Sequence, residues 1–182
     1  DVQVSSNGPW TEATRSIVSE AAQRPEVLGR TEVIETATML RAADRPDTQP
    51  RMVELKAVEP EFPFYGELLL ADGQRYSHEL LRDRGILVKQ STLTSFNLGV
   101  GDRVQIGTLD FTIRGVIEKE PGNSVNAFSL GPRVIIDHRD AEAAGLIGFG
   151  SRARFKTLFK TSPGQSESLS AELSVKLKSQ AN

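Results

Sequence analysis

An α+β fold in two parts follows from three features of the chain. Alternating apolar and polar residues recur at Val2–Ser5, Arg51–Val58, Arg103–Ile106 and Leu109–Ile117, and a side-chain period of two marks a strand with one buried face. Helical spacing is confined to a few places, chiefly Ala13, Ile17, Val18 and Ala21 near the start and Leu169, Leu173 and Leu177 near the end. Composition then changes abruptly at Glu59, where Pro60, Phe62, Pro63, Phe64 and Tyr65 crowd together. One structural unit therefore ends there and a second begins.

The elements follow in order. The strand at the start turns at Asn7-Gly8-Pro9, Thr11 caps a helix, and Pro25 ends it. Trp10, just before the cap, reads as a packed aromatic or a membrane-interface residue. Val27 to Leu40 reads as a long strand; Glu32, Glu35, Met39 and Leu40 would also suit a helix, but the β-branched density favours the strand. Ala42 to Pro50 is an exposed loop, and Arg51–Val58 returns antiparallel. After the aromatic crossing come a short strand at Glu67–Leu70, a turn at Asp72-Gly73 and a helical turn at His78–Arg82. Ile86–Val88 is a short buried strand leading into a helix with Leu93, Phe96 and Leu98 on one face, and Gly99 is the residue expected in its left-handed terminus. Gly107-Thr108 closes a hairpin whose second strand is interrupted by Gly115, a bulge or a close backbone approach. Arg133–Ile136 is a strand, and Asp137 caps a short helix with Asp140 in its first turn. Arg152, Arg154 and Lys156 then alternate with Ala153, Phe155 and Thr157 to give a strand with one basic face, and Ser162-Pro163 starts the final amphipathic helix.

Several function classes are excluded or weakened by composition. The chain has 182 residues, enough for one domain or two small lobes. Its 22 Lys and Arg against 24 Asp and Glu give a net charge of -2, so nothing directs it to nucleic acid. Without cysteine there are no disulfides and no thiolate-held metals. No stretch has the apolar length of a membrane helix, and the first residues lack the layout of a signal peptide. His78 and His138 are sixty residues apart, with no second ligand at metal spacing. Gly150-Ser151 does not make a nucleophile elbow, and the glycines from Gly145 to Gly150 lack the lysine and helix of a phosphate loop. Asp137-His138-Arg139-Asp140 is better read as a helix start than as a base with its partners. No catalytic, cofactor or metal residue is expected, and no enzyme activity.

The stretch from Gly85 to Glu120 carries a resemblance. Ile86–Val88, then Leu98-Gly99-Val100-Gly101-Asp102, then Thr112 to Ile117 appear in the order found in the extracytoplasmic core domain of MacB-like and FtsX-like ABC transporter permeases, which this chain resembles. Leu55 to Gly66 and Phe128 to Val134 look like the YbbP-type branch. The resemblance implies a porter-like β-α-β lobe made of residues 1–58 and 151–182, with a β-rich, sabre-like lobe of residues 59–150 inserted. It implies a periplasmic segment of a bacterial inner-membrane protein, with membrane helices before Asp1 and after Asn182. A separate cytoplasmic ATPase subunit would drive it, a lysophospholipase- or thioesterase-like periplasmic protein would be its partner, the substrate would be hydrophobic or lipid-like, and the full permease would form a dimer or pseudo-dimer. The alternatives are a free-standing binding or hydrolase module, or a lipoprotein-releasing or cell-division relative of the same fold.

Phe62, Phe64, Tyr65 and Phe149 are the candidate functional residues, as the packing of a hinge between the lobes or as a hydrophobic contact for a substrate or partner. On the hinge reading the crossing at Glu59–Gly66, stiffened by two prolines, runs beside the return at Gly148–Arg152. The basic face from Arg152 to Lys160 is a solvated surface or a site for phosphate groups or an acidic partner.

Overall fold

The structure, a computed structural model, describes residues 2–122, 130–148 and 151–179. The chain enters as β1 (Val2–Ser6) and turns into α1 (Glu12–Ala22), where the Thr11 hydroxyl accepts the Thr14 N–H at 3.2 Å. β2 (Val27–Ala42) and β3 (Arg51–Val58) then form a long antiparallel pair. The strand alternative at Val27–Leu40 thus holds over the helical one. It runs on to Ala42, which the sequence placed in a loop, because Leu40, Arg41 and Ala42 pair with Ile106, Gln105 and Val104 of β6 (Arg103–Ile106), partners some sixty residues away.

The middle of the chain supplies β4 (Leu69–Leu70), a 3₁₀ turn at His78–Leu81, β5 (Gly85–Val88), α2 (Gln90–Phe96) and β7 (Leu109–Lys119). The left-handed residue that ends α2 is Asn97, at φ 51°, two positions before the expected Gly99. Asparagine tolerates that conformation, and the Leu98 N–H then reaches back to the Leu93 carbonyl at 2.9 Å. At Gly115 the bulge reading holds, and what comes close is side chains rather than a second backbone. The β5–β7 register slips by one residue there, and an added Cβ would sit 3.0 Å from a Leu87 methyl and 3.2 Å from a Leu70 methyl.

β8 (Arg133–Asp137), α3 (His138–Ala143), β9 (Arg154–Thr161) and α4 (Ser166–Lys178) complete the chain. α4 begins three residues later than a cap at Ser162 would start it: Ser162-Pro163-Gly164 is a turn with Gly164 at φ 80°, and Gln165 occupies the cap position. Leu169 and Leu173 are buried, while Val175 is 71% exposed.

All nine strands among the described residues join one sheet, in the order β1-β9-β2-β3-β8-β5-β7-β4, with β6 bridging β7 and β2. That bridge closes a ring: β2 pairs β3, β3 pairs β8, β8 pairs β5, β5 pairs β7, β7 pairs β6, and β6 returns to β2. The result is a small barrel filled by Leu40, Leu55, Ile86, Val88, Ile106, Phe111, Ile113 and Ile136 and packed by α2 and α3 through Leu93, Phe96, Ala141 and Ala144. Each large aliphatic or aromatic side chain in it contributes about 1.5–3 kcal/mol of burial free energy.

Outside the ring, β1 and β9 extend the sheet beyond β2, and α1 and α4 lie across that extension. Val2, Val4, Val18, Ala21, Phe159, Leu169 and Leu173 form the core beneath the helices, and Trp10 packs at its junction with the barrel core. β2 and β3 are therefore common to the helix-covered layer and to the barrel. This places the opposite face of β9, β2, β3 and β8 outside both cores, where the aromatic crossing lies.

Candidate functional site

Strand parity builds one wall of the site. β9 presents Arg154, Lys156 and Leu158, β2 presents Glu35 and Val33, β3 presents Glu54, Lys56 and Val58, and β8 presents Arg133 and Ile135, all on the face turned away from the barrel interior. At one end of that face Val33, Val58, Leu87, Ile117 and Ile135 are covered by Phe62, Leu68, Leu70 and Leu81. The rest is polar and open. The crossing arches over it, leaving a cleft of about 500 Å³ between Phe62, Pro63, Phe64 and Tyr65 above and Glu35, Lys56, Glu120, Arg133, Arg154 and Lys156 below. A second cavity, about 770 Å³, continues from it past Glu35, Arg133 and Arg154 to Met52, Leu130 and Arg152.

The floor is an ion-pair network rather than a set of solvated charges. Lys56 Nζ reaches Glu120 Oε1 at 2.9 Å and Glu35 Oε1 at 3.9 Å; Lys156 Nζ holds Glu35 Oε2 at 2.7 Å; Arg133 reaches Glu120 at 3.5 Å and Glu54 at 3.8 Å. The Glu120 side chain is only 3% exposed. Burial pushes the Glu35 carboxyl up, but the Lys156 hydrogen bond with the charges of Lys156, Lys56 and Arg133 reverses this and leaves it below the ordinary carboxylate range. Lys56 also lies over the Phe62 ring, 5.1 Å from its centroid, and Lys160 over Tyr65 at 5.7 Å, cation–π contacts worth about 0.5–2 kcal/mol each.

The candidate residues divide by environment. Phe62 is buried and meets Tyr76 edge-on at 6.4 Å. The Phe64 ring approaches Gly29 on β2, within 3.4 Å of where a Cβ would stand. Tyr65 is 47% exposed at the cleft mouth, and Phe149 lies outside the described residues. Leu146 and Ile147, which precede the return crossing, rest on the barrel core, whereas Phe62 belongs to the cluster on the other face of the shared strands. The basic face of β9 lines the cleft, with Lys156 neutralised by Glu35.

Two arrangements escaped sequence reasoning. Tyr76 Oη meets His78 Nδ1 at 2.9 Å, and His78 Nε2 meets Asp137 Oδ2 at 2.8 Å, while Asp137 Oδ1 accepts the Arg139 N–H at 2.9 Å. Asp137 is thus a helix cap and also the anchor of the 3₁₀ turn. Burial and the Asp137 charge push the Tyr76 hydroxyl well above its ordinary pKa, so it is a poor nucleophile despite the triad-like geometry. His138, for its part, lies beside Glu32 and Glu59. Tyr76 and His78 are neighbours in the chain, but only tertiary structure brings Asp137 to them or Glu32, Glu59 and His138 together, and no motif spacing reveals either group.

The fold presents a charged, aromatic-roofed groove on a closed ring of strands. The family model of the MacB-like periplasmic core domain matches residues 1–182, and the chain belongs to that family of extracytoplasmic domains of ABC transporter permeases. It is 28% identical over 149 residues to the uncharacterized ABC transporter permease YbbP of Escherichia coli (strain K12), covering 81% of this chain and 17% of that protein. The chain thus spans about a sixth of the length of this curated relative. Among solved structures, the periplasmic region of MacB from Actinobacillus actinomycetemcomitans aligns at TM-score 0.61 with 17% identity, over 98% of this chain and 83% of that one. The extracellular domain of the noncanonic ABC-type transporter YknZ from Gram-positive bacteria aligns at TM-score 0.63 with 12% identity, over 98% and 94%. A domain of a putative permease from Porphyromonas gingivalis aligns at 0.55 with 23% identity, over 87% and 68%. These share its fold. Among the described residues no helix is long and apolar enough to cross a membrane.

Proposed function

We propose that the domain is a non-catalytic relay: a separate cytoplasmic ATPase moves membrane helices of the parent permease, and this domain passes the motion to a hydrophobic or lipid-like substrate or to a periplasmic partner, for export or extraction from the membrane. The observation that supports it best is the sharing of β2 and β3. β2 is hydrogen-bonded to β9 at its start and to β6 at its end, so a displacement of the helix-covered layer reaches the barrel through one strand. The first and last described elements also pack together in the α1–α4 core, as two flanking membrane helices would require.

On this reading residues 1–58 with 151–182 and residues 59–150 are the two working lobes, joined through those strands. The crossing serves both of its candidate roles, Phe62 as packing at the junction and Tyr65 as the exposed contact beside the groove. A partner related to lysophospholipases or thioesterases, and a dimeric or pseudo-dimeric full permease, belong to the same proposal.

The experiment reconstitutes the parent permease with its ATPase in vesicles and compares Tyr65→Ala with the unmodified protein. Retained ATP turnover with loss of substrate movement supports the relay; parental movement in the variant excludes the groove mouth as its output. Catalytic silence is checked on the purified domain with ester, thioester and nucleotide substrates, and turnover abolished by Ser151→Ala or His138→Ala would contradict it.

A further inference from the structure

Three neighbouring strands line up at one corner of the sheet. Val33 of β2 lies opposite Val58 of β3, and Val58 lies beside Asp137 of β8. The next residue along each is Glu32, Glu59 or His138, and register alone brings the three together: one ligand-type atom from each lies within 4.8 Å of the others. His138 Nε2 is shut off from solvent and has no hydrogen-bond partner. It stands 3.7 Å from Glu32 Oε2, too far for a hydrogen bond. A tetrahedral ion with bonds of about 2.1 Å holds its ligand atoms about 3.4 Å apart.

Both carboxylates are half committed. Glu59 Oε2 accepts the Glu32 N–H at 2.6 Å, which orients the Glu59 side chain, and Arg30 contacts Glu32 Oε1. Glu32 Oε2, His138 Nε2 and a carboxylate oxygen of Glu59 lie close enough together to share one ion. An imidazole nitrogen with two carboxylate oxygens is a borderline-hard donor set, suited to zinc and its first-row neighbours, and the bond from the Glu32 N–H supplies the orienting contact such ligands need.

We propose that Glu32, Glu59 and His138 form a binding site for a divalent transition-metal ion of the zinc type, with water completing its coordination. The site ties the interior of β2 to the C-terminal ends of β3 and β8, and it stands independently of the transport reading. Bound there, the ion stabilises the folded chain by mass action.

The untagged 182-residue chain is titrated with zinc chloride by calorimetry, and its melting is followed with and without EDTA. One equivalent of zinc binds, the melting temperature rises by several degrees, and cobalt at the same site gives visible absorption. His138→Leu and Glu59→Gln each weaken zinc binding at least about tenfold, the second while keeping an amide oxygen for the Glu32 N–H; His78→Gln leaves it unchanged. Absence of 1:1 binding overturns the proposal. So does a loss below about threefold in Glu59→Gln, or His138 ring signals that respond to pH but not to zinc, as a plain imidazolium–carboxylate pair would behave.

Discussion

Replacing Glu120 by alanine removes the carboxylate that holds two cations beneath the aromatic crossing. Lys56, with a side chain 13% exposed, loses its 2.9 Å partner and keeps Glu35 at 3.9 Å; Arg133, 21% exposed, loses a 3.5 Å contact and keeps Glu54 at 3.8 Å. Breaking a buried pair from one side costs about 3–5 kcal/mol when the remaining charge is stranded. Each cation here retains a second carboxylate, so the expected loss is about 2–3 kcal/mol. For a chain of this length that lowers the melting temperature by about 5–10 °C. Urea unfolding at neutral pH measures it, and the loss persists at high salt because solvent ions screen buried pairs weakly. Lys56→Met combined with Glu120→Leu recovers part of the loss, since it removes charges on both sides. Glu79, whose Arg82 pair is exposed on both sides, is the control. If Glu120→Ala costs no more than Glu79→Ala, about 0.5 kcal/mol or less, the network is surface decoration and the argument for an organised cleft floor fails.

Phe62→Ala is expected to cost about 3–5 kcal/mol as a core truncation, whereas Tyr65→Ala, at the exposed mouth, loses only the Lys160 contact and stays within about 1 kcal/mol; thermal melts separate them, and equal shifts contradict the assignment. Gly107 sits at φ 57° with the Ala144 carbonyl oxygen 2.0 Å from where a Cβ would be, so Gly107→Ala should lower the urea midpoint by the equivalent of at least about 2 kcal/mol. Glu35, with its folded pKa depressed, adds stability that is fully present above the unfolded carboxylate value of about 4.3 and is lost as pH falls through the lower folded value. Glu35→Gln should therefore flatten the decline in stability below about pH 4.3, as read from melts across that window.

Much of the secondary structure was legible because it depends on local chemistry. Period-two patterning marked Arg51–Val58 and Leu109–Ile117, Thr11 announced its helix, and Gly115 marked a bulge. The aromatic crossing stood out by composition, since prolines and aromatics cluster nowhere else. Helix ends were misplaced where a turn competed, at Asn97 and at Ser162-Pro163-Gly164, because asparagine can replace glycine in a left-handed cap and Ser-Pro suits a turn as well as a first helical position.

Neighbourhood was not legible. Alternation tells which side chains share a face of a strand, but not which strand lies alongside or in what register. Closure of the barrel depends on Leu40–Ala42 meeting Val104–Ile106, and the cleft floor on residues 35, 56, 120, 133 and 156 arriving from separate segments. Backbone hydrogen bonding and the burial of one strand face choose those partners collectively. The same choice sets Glu32, Glu59 and His138 side by side, a juxtaposition carried by no motif, since it exists only once three strands have settled into register.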